Sequence, residues 1–158
     1  MYAQTLAERG FLTIAFDPSY TGESSGKPRY VASPDINTED FCAAVDYLST
    51  RNDVDTERIG ILGICGWGGI ALNAAAIDTR IKATATVTMY DMGRVNAKGY
   101  FDTVDANARY ELRKQLNAQR TEDYRSGTYA LAGGVVDPLP DDAVSYTHLR
   151  AHETSQDL

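Results

Sequence analysis

The chain has 158 residues, 43% of them apolar and 23% charged, which suits one globular domain and argues against a disordered chain. A formal net charge of −7 disfavours nucleic acid or an anionic membrane as the main partner, because both are bound through basic patches. Two cysteines, Cys42 and Cys65, cannot build a disulfide framework and point to a reducing, cytoplasmic setting; Met1 opens polar sequence without the apolar core of a leader.

Residues 1–9 read as the end of an amphipathic helix, with Leu6 and Ala7 apolar and Gly10 as its stop. Its uncapped start leads us to expect that the native protein begins upstream. The apolar run Phe11–Phe16 predicts a short buried strand, and Asp17–Pro28, with its glycines, prolines and serines, a loop. Asn37 or Thr38 is suited to cap the next helix, on which Phe41, Ala44, Val45 and Leu48 form one apolar face. A polar turn at Asp53–Glu57 precedes a second strand, Ile59–Ile64. A helix at Ile70–Ile77 and a third strand at Ile81–Met89 follow.

The stretch Ile59–Ile77 carries no charge and is long enough to span a membrane. Five glycines inside it, each costing a helix interior on the order of 1 kcal/mol, favour a strand, a glycine turn and a helix instead. Alternation of strands with helices implies a parallel sheet with flanking helices. Phe101–Arg125 is charged and weakly periodic, as expected of surface helices, and 127–143 reads as linker.

The turn Gly63-Ile64-Cys65-Gly66-Trp67-Gly68-Gly69 lies between a strand and a helix. A side chain on such a turn projects above the sheet, and small neighbours let backbone approach backbone. The helix that follows directs its free N–H groups and positive dipole end at Cys65, which favours a nucleophilic thiolate. Gly66 N–H is then one oxyanion donor. Cys42 reads as helix packing, and Asp17 and Glu23 as solvated loop carboxylates.

The run Arg58-Ile59-Gly60-Ile61-Leu62-Gly63-Ile64-Cys65 followed by glycines resembles the nucleophile strand and elbow of α/β-hydrolases, of the dienelactone-hydrolase-like kind. The loop Phe16-Asp17-Pro18-Ser19-Tyr20-Thr21-Gly22-Glu23-Ser24 is similar to that fold's Asp-x-x-Gly-x-Gly-x-Ser loop, with Glu23 and Ser24 as departures. The resemblance covers about residues 1–126 and implies a partial α/β-hydrolase core with the start of a helical cap. It implies hydrolysis of a small ester, lactone or thioester by Cys65, with a small-molecule substrate, no cofactor and no metal. Trp67 departs from the family pattern, which has a small residue two places after the nucleophile. In a second register position 67 is the nucleophile site and tryptophan occupies it; Cys65, seven residues after Arg58, suits the first register better.

The resemblance also implies that the first strands, the triad acid and the triad histidine lie outside this chain, so that the chain alone is inactive and folds poorly. His148 and His152 fall in Ser145–Thr154, which resembles translated sequencing-adaptor sequence, so 144–158 is expected to be a non-native tail. Tyr90, Asp91 and Met92 end the third strand at the carboxyl edge where α/β sheets bind ligands, and Asp91 is the candidate for the substrate cleft. The helical stretch after it is a candidate lid. Two other readings stay open. One is a nucleotide- or phosphate-binding module using Gly63, Gly66 and Gly68, although the spacing Gly-x-x-Gly-x-Gly is not the dinucleotide pattern. The other is a catalytically dead relative in which Trp67 fills the nucleophile pocket.

Overall fold

The computed structural model describes residues 2–131. These fall into two units, the first running to Gln115 and the second beginning at Leu116. Residues 132–158, which hold most of the linker expected at 127–143 and all of the tail expected at 144–158 with His148 and His152, lie outside the described residues.

The first unit opens with helix α1, Tyr2–Glu8. Gly10 ends it at φ +91°, a conformation open to glycine, and its N–H donates to Ala7 O at 2.9 Å. Phe11–Phe16 does not form the expected buried strand. Phe11 is 64% exposed, and no strand among the described residues lies beside this segment to take its backbone groups.

Helix α2 spans Pro34–Ser49 and is capped by Ser33, not by Asn37 or Thr38. Pro34 at the first helical position needs no N–H partner there, which moves the start upstream. Asn37 instead sits buried in the first turn. Its side-chain oxygen accepts from Ser33 N–H at 3.0 Å and its amide donates to Asp40 at 3.1 Å. Asp40 also accepts from Ser19 N–H and Ser19 Oγ, at 3.1 and 2.5 Å, which ties the Asp17–Pro28 loop to α2.

A 3-10 turn at Thr56–Arg58, capped by Asp55, leads into strand β1, Ile59–Ile64. Helix α3 covers Gly66–Ile77 and so begins four residues before the apolar run that predicted it. Strand β2, Ile81–Val87, returns parallel to β1, pairing Gly60 with Ala83 and Ile64 with Val87. Val45 of α2, Ile59, Ala74 of α3 and Ile81 form the core, with Phe41, Cys42, Leu48, Val54, Ile61 and Ala75 against it. From Lys82 to Thr86 β2 is exposed, because nothing among the described residues covers its far face.

The buried carboxylate of Asp78, after α3, is gripped by the Arg80 guanidinium at 2.9 and 2.7 Å. Arg80 reaches Asp46 of α2 at 2.7 Å and so joins the two helices. Helix α4, Met92–Lys98, follows β2, and a 3-10 turn at Tyr100–Asp102 is tied back to it by the Arg94–Asp102 ion pair. Helix α5, Ala106–Ser126, runs across the division between the units and buries none of its residues. In the second unit Asp123 accepts from the Gln119 amide at 2.8 Å and from Ala130 N–H at 3.2 Å.

Candidate active site

Cys65 joins β1 to α3 at φ 60° and ψ −132°, a backbone conformation that residues with a Cβ rarely adopt. Such a geometry costs on the order of 1–3 kcal/mol and persists only where its surroundings hold it. Here they do so from both sides. Cys65 N–H donates to Val87 O at 2.8 Å, continuing the β ladder, and Cys65 C=O accepts from Gly68 N–H at 3.0 Å, closing the first turn of α3. Trp67 lies inside that turn. The strained position is therefore 65, not 67.

The glycines around Cys65 are required by space. A Cβ on Gly63 would stand 2.6 Å from Trp67 O and 2.7 Å from the Cα of Gly68, so the first turn of α3 could not lie where it does. On Gly66 it would meet Met92 Sδ at 2.6 Å and the Tyr90 hydroxyl at 3.4 Å. On Gly68 it would meet Met89 Cγ at 2.7 Å, and on Gly69 Tyr90 O at 3.0 Å. The segment after β2 thus folds over the start of α3. Protein atoms, not open space for a phosphate, fill the room left by Gly66 and Gly68. No helical partner exists for Gly66 N–H, since the first N–H groups of any α-helix have none.

The indole of Trp67 packs edge-on against Phe41 of α2, with ring centroids 5.7 Å apart, and Phe41 packs in turn against Phe16 at 5.8 Å. Asp91 caps α4, accepting from Arg94 N–H at 2.9 Å, and stands exposed beside the same turn. Sequence reasoning places Tyr90 at the carboxyl edge of the third strand beside Asp91 and gives it no role of its own. The Tyr90 hydroxyl lies beside Gly66, and burial first, then the nearby Cys65 side chain, pushes the phenol up to about 12. Its place at the carboxyl end of β2 was the one available clue. Cys42 is different. Burial first, and then the carboxylates of Asp78 and Glu39, push its thiol up.

A groove of about 420 Å³ is lined by Phe16, Asp17, Ser19, Asp40, Ala44 and Tyr47 among others and does not include Cys65. Among the described residues no group of His, Cys, Asp and Glu is arranged to hold a metal, and no helix is long and apolar enough to cross a membrane.

Comparison with known proteins gives the family of the chain. Residues 2–154 match the model of a family described as the alpha/beta hydrolase fold. The uncharacterized protein PA2218 of Pseudomonas aeruginosa is 64% identical over 130 residues, 82% of this chain and 35% of that protein. Its crystal structure superposes with a TM-score of 0.80 at 58% identity, covering 92% of this chain and 48% of that one. The uncharacterized protein YcjY of Escherichia coli is 45% identical over 130 residues, 82% of this chain and 42% of that protein. The thiohydrolase aneE of Aspergillus aculeatus is 28% identical over 138 residues, 87% of this chain and 39% of that enzyme. The chain thus spans well under half the length of the curated relatives it matches.

Proposed function

Because the chain belongs to the α/β-hydrolase fold family, we propose that Cys65 is a catalytic nucleophile on a nucleophile elbow and takes the acyl group of a small ester, lactone or thioester. The observation that carries this reading is the strained backbone of Cys65, a non-glycine residue held between a parallel strand and a helix start. Strain of this kind is costly and is concentrated at functional sites. The similarity to a thiohydrolase supports acyl transfer, and thioesters within it.

In this mechanism the Cys65 thiolate attacks the acyl carbonyl, forming the S–C bond while the carbonyl π pair moves to oxygen. Gly66 N–H and the positive end of α3 receive that oxyanion. Collapse restores the carbonyl, breaks the bond to the leaving group and expels it as alkoxide or thiolate, which takes a proton from water, and leaves acyl-Cys65, which water then hydrolyses with the help of a base. No histidine lies among the described residues, so none of them supplies an imidazole base for this step. Asp91, exposed beside the turn, borders the cleft for the leaving group. No cofactor takes part in these steps.

Mixing the chain with a chromogenic acetyl ester tests the reading. A stoichiometric burst of released chromophore, lost in Cys65→Ala and kept in Cys42→Ala, is expected. A burst that survives Cys65→Ala contradicts it.

A further inference from the structure

We propose that Met92 sets the size of the acyl group that Cys65 takes, its side chain forming the yielding wall of the space in front of Gly66 N–H. This inference rests on the nucleophile reading and deepens it.

After Val87 the backbone turns at Thr88, φ 49°, and the segment that follows is seated on the first turn of α3. Met89 lies against Gly68, the Tyr90 carbonyl against Gly69, and the Met92 side chain against Gly66. A Cβ on Gly66 would stand 2.6 Å from Met92 Sδ, 3.0 Å from Met92 Cγ and 3.4 Å from the Tyr90 hydroxyl. In an α-helix the bond from Cα to Cβ leans toward the N-terminus. Gly66 is the first residue of α3, so the thioether and the phenol stand at the Cys65 end of that helix. A substrate oxygen received by Gly66 N–H lies within reach of both.

The two side chains differ in freedom. Tyr90 is seated through its carbonyl on Gly69, and Tyr100 flanks its ring with centroids 6.5 Å apart. Met92 is unbranched, and a methionine thioether re-packs readily around what it meets. Its backbone is nevertheless fixed. It is the first residue of α4, behind the Asp91 cap, whose carboxylate accepts from Arg94 N–H at 2.9 Å, and the Arg94 guanidinium is paired with Asp102. A fixed backbone with a pliable end makes Met92 the part of the wall that yields to an acyl chain. The thioether carries no charge, so the acyl groups it suits are apolar and unbranched.

The test is the first-turnover rate of Cys65 acylation by the p-nitrophenyl esters of acetic, butanoic and hexanoic acid. It is read as the burst of nitrophenolate, with peptide mass spectrometry to locate the acyl group and iodoacetamide labelling to show that the thiol stays reachable. Met92→Ala is expected to raise the ratio of hexanoyl to acetyl rates roughly tenfold, the low end of what added room in an apolar pocket changes. Met92→Phe is expected to lower it, and decides the matter alone if circular dichroism shows Met92→Ala unfolded. Met89→Ala, which opens space at Gly68 instead, is expected to keep the ratio. A ratio that neither Met92 change moves, or that Met89→Ala moves as far, overturns the role of Met92 and leaves acyl-Cys65 standing. No acyl group on Cys65 of the unsubstituted chain with any of these esters overturns both.

Discussion

The indole of Trp67 lies edge-on to the ring of Phe41, centroids 5.7 Å apart, so the largest side chain of the turn is spent on packing α3 against α2. Trp67→Ala is therefore expected to lower stability by about 2 kcal/mol, less than a fully buried aromatic, with Cys65 labelling unchanged. Urea unfolding and alkylation measured on the same sample check this. An unchanged midpoint together with newly gained esterase turnover would instead mean that the indole blocks the nucleophile pocket.

Gly63 leaves no space for a side chain because Trp67 O and the Cα of Gly68 would stand 2.6 and 2.7 Å from its Cβ. These are backbone atoms and can yield only if the helix start moves. Gly63→Ala is expected to cost roughly 3 kcal/mol, as overpacking does, and to slow Cys65 labelling by displacing the turn. Gly60→Ala is the control. Its Cβ would meet Ala83 O at 3.4 Å, an ordinary contact, and a change below about 1 kcal/mol is expected.

The Arg80 guanidinium beside Asp78 holds that buried carboxyl below the usual carboxylate range. The depressed group stabilises the fold above its unfolded value, and this contribution is lost as pH falls through the folded one. The window is thus below about pH 4. Urea midpoints at pH 7 and pH 3 should differ less in Asp78→Asn than in the unsubstituted chain. Equal pH dependence in the two would show that other carboxylates govern acid unfolding. The exposed pairs Arg51–Asp53 and Arg58–Asp55 are expected to contribute little, being open to solvent and salt.

How far the sequence is legible differs from element to element. Ile59–Ile64 is a strand with the bounds its apolar run predicts, and the glycine spacing locates the sharp turn at Cys65. Both are local properties. The start of α2 was misplaced because Ser33 and Pro34 form a better entry than Asn37, whose amide serves inside the first turn. The start of α3 was placed late because its glycines look like a loop, whereas they are helical residues kept bare for Met89, Tyr90 and Met92. Phe11–Phe16 has a strand's composition, yet pairing depends on a neighbour that local sequence does not reveal. Tyr90 is legible as a residue of the sheet's carboxyl edge, but its approach to Gly66 depends on how the chain folds back after β2, which no spacing rule encodes.

The central claim is that Cys65 accepts an acyl group. Brief exposure to acetyl and thioacetyl donors, acid quench and peptide mass spectrometry would locate any adduct directly. The account predicts an acetyl group on Cys65, formed well before any on Cys42, whose thiol is pushed up by burial and nearby carboxylates. An adduct on Cys42 first, or none on Cys65 while the chain is folded, would contradict it.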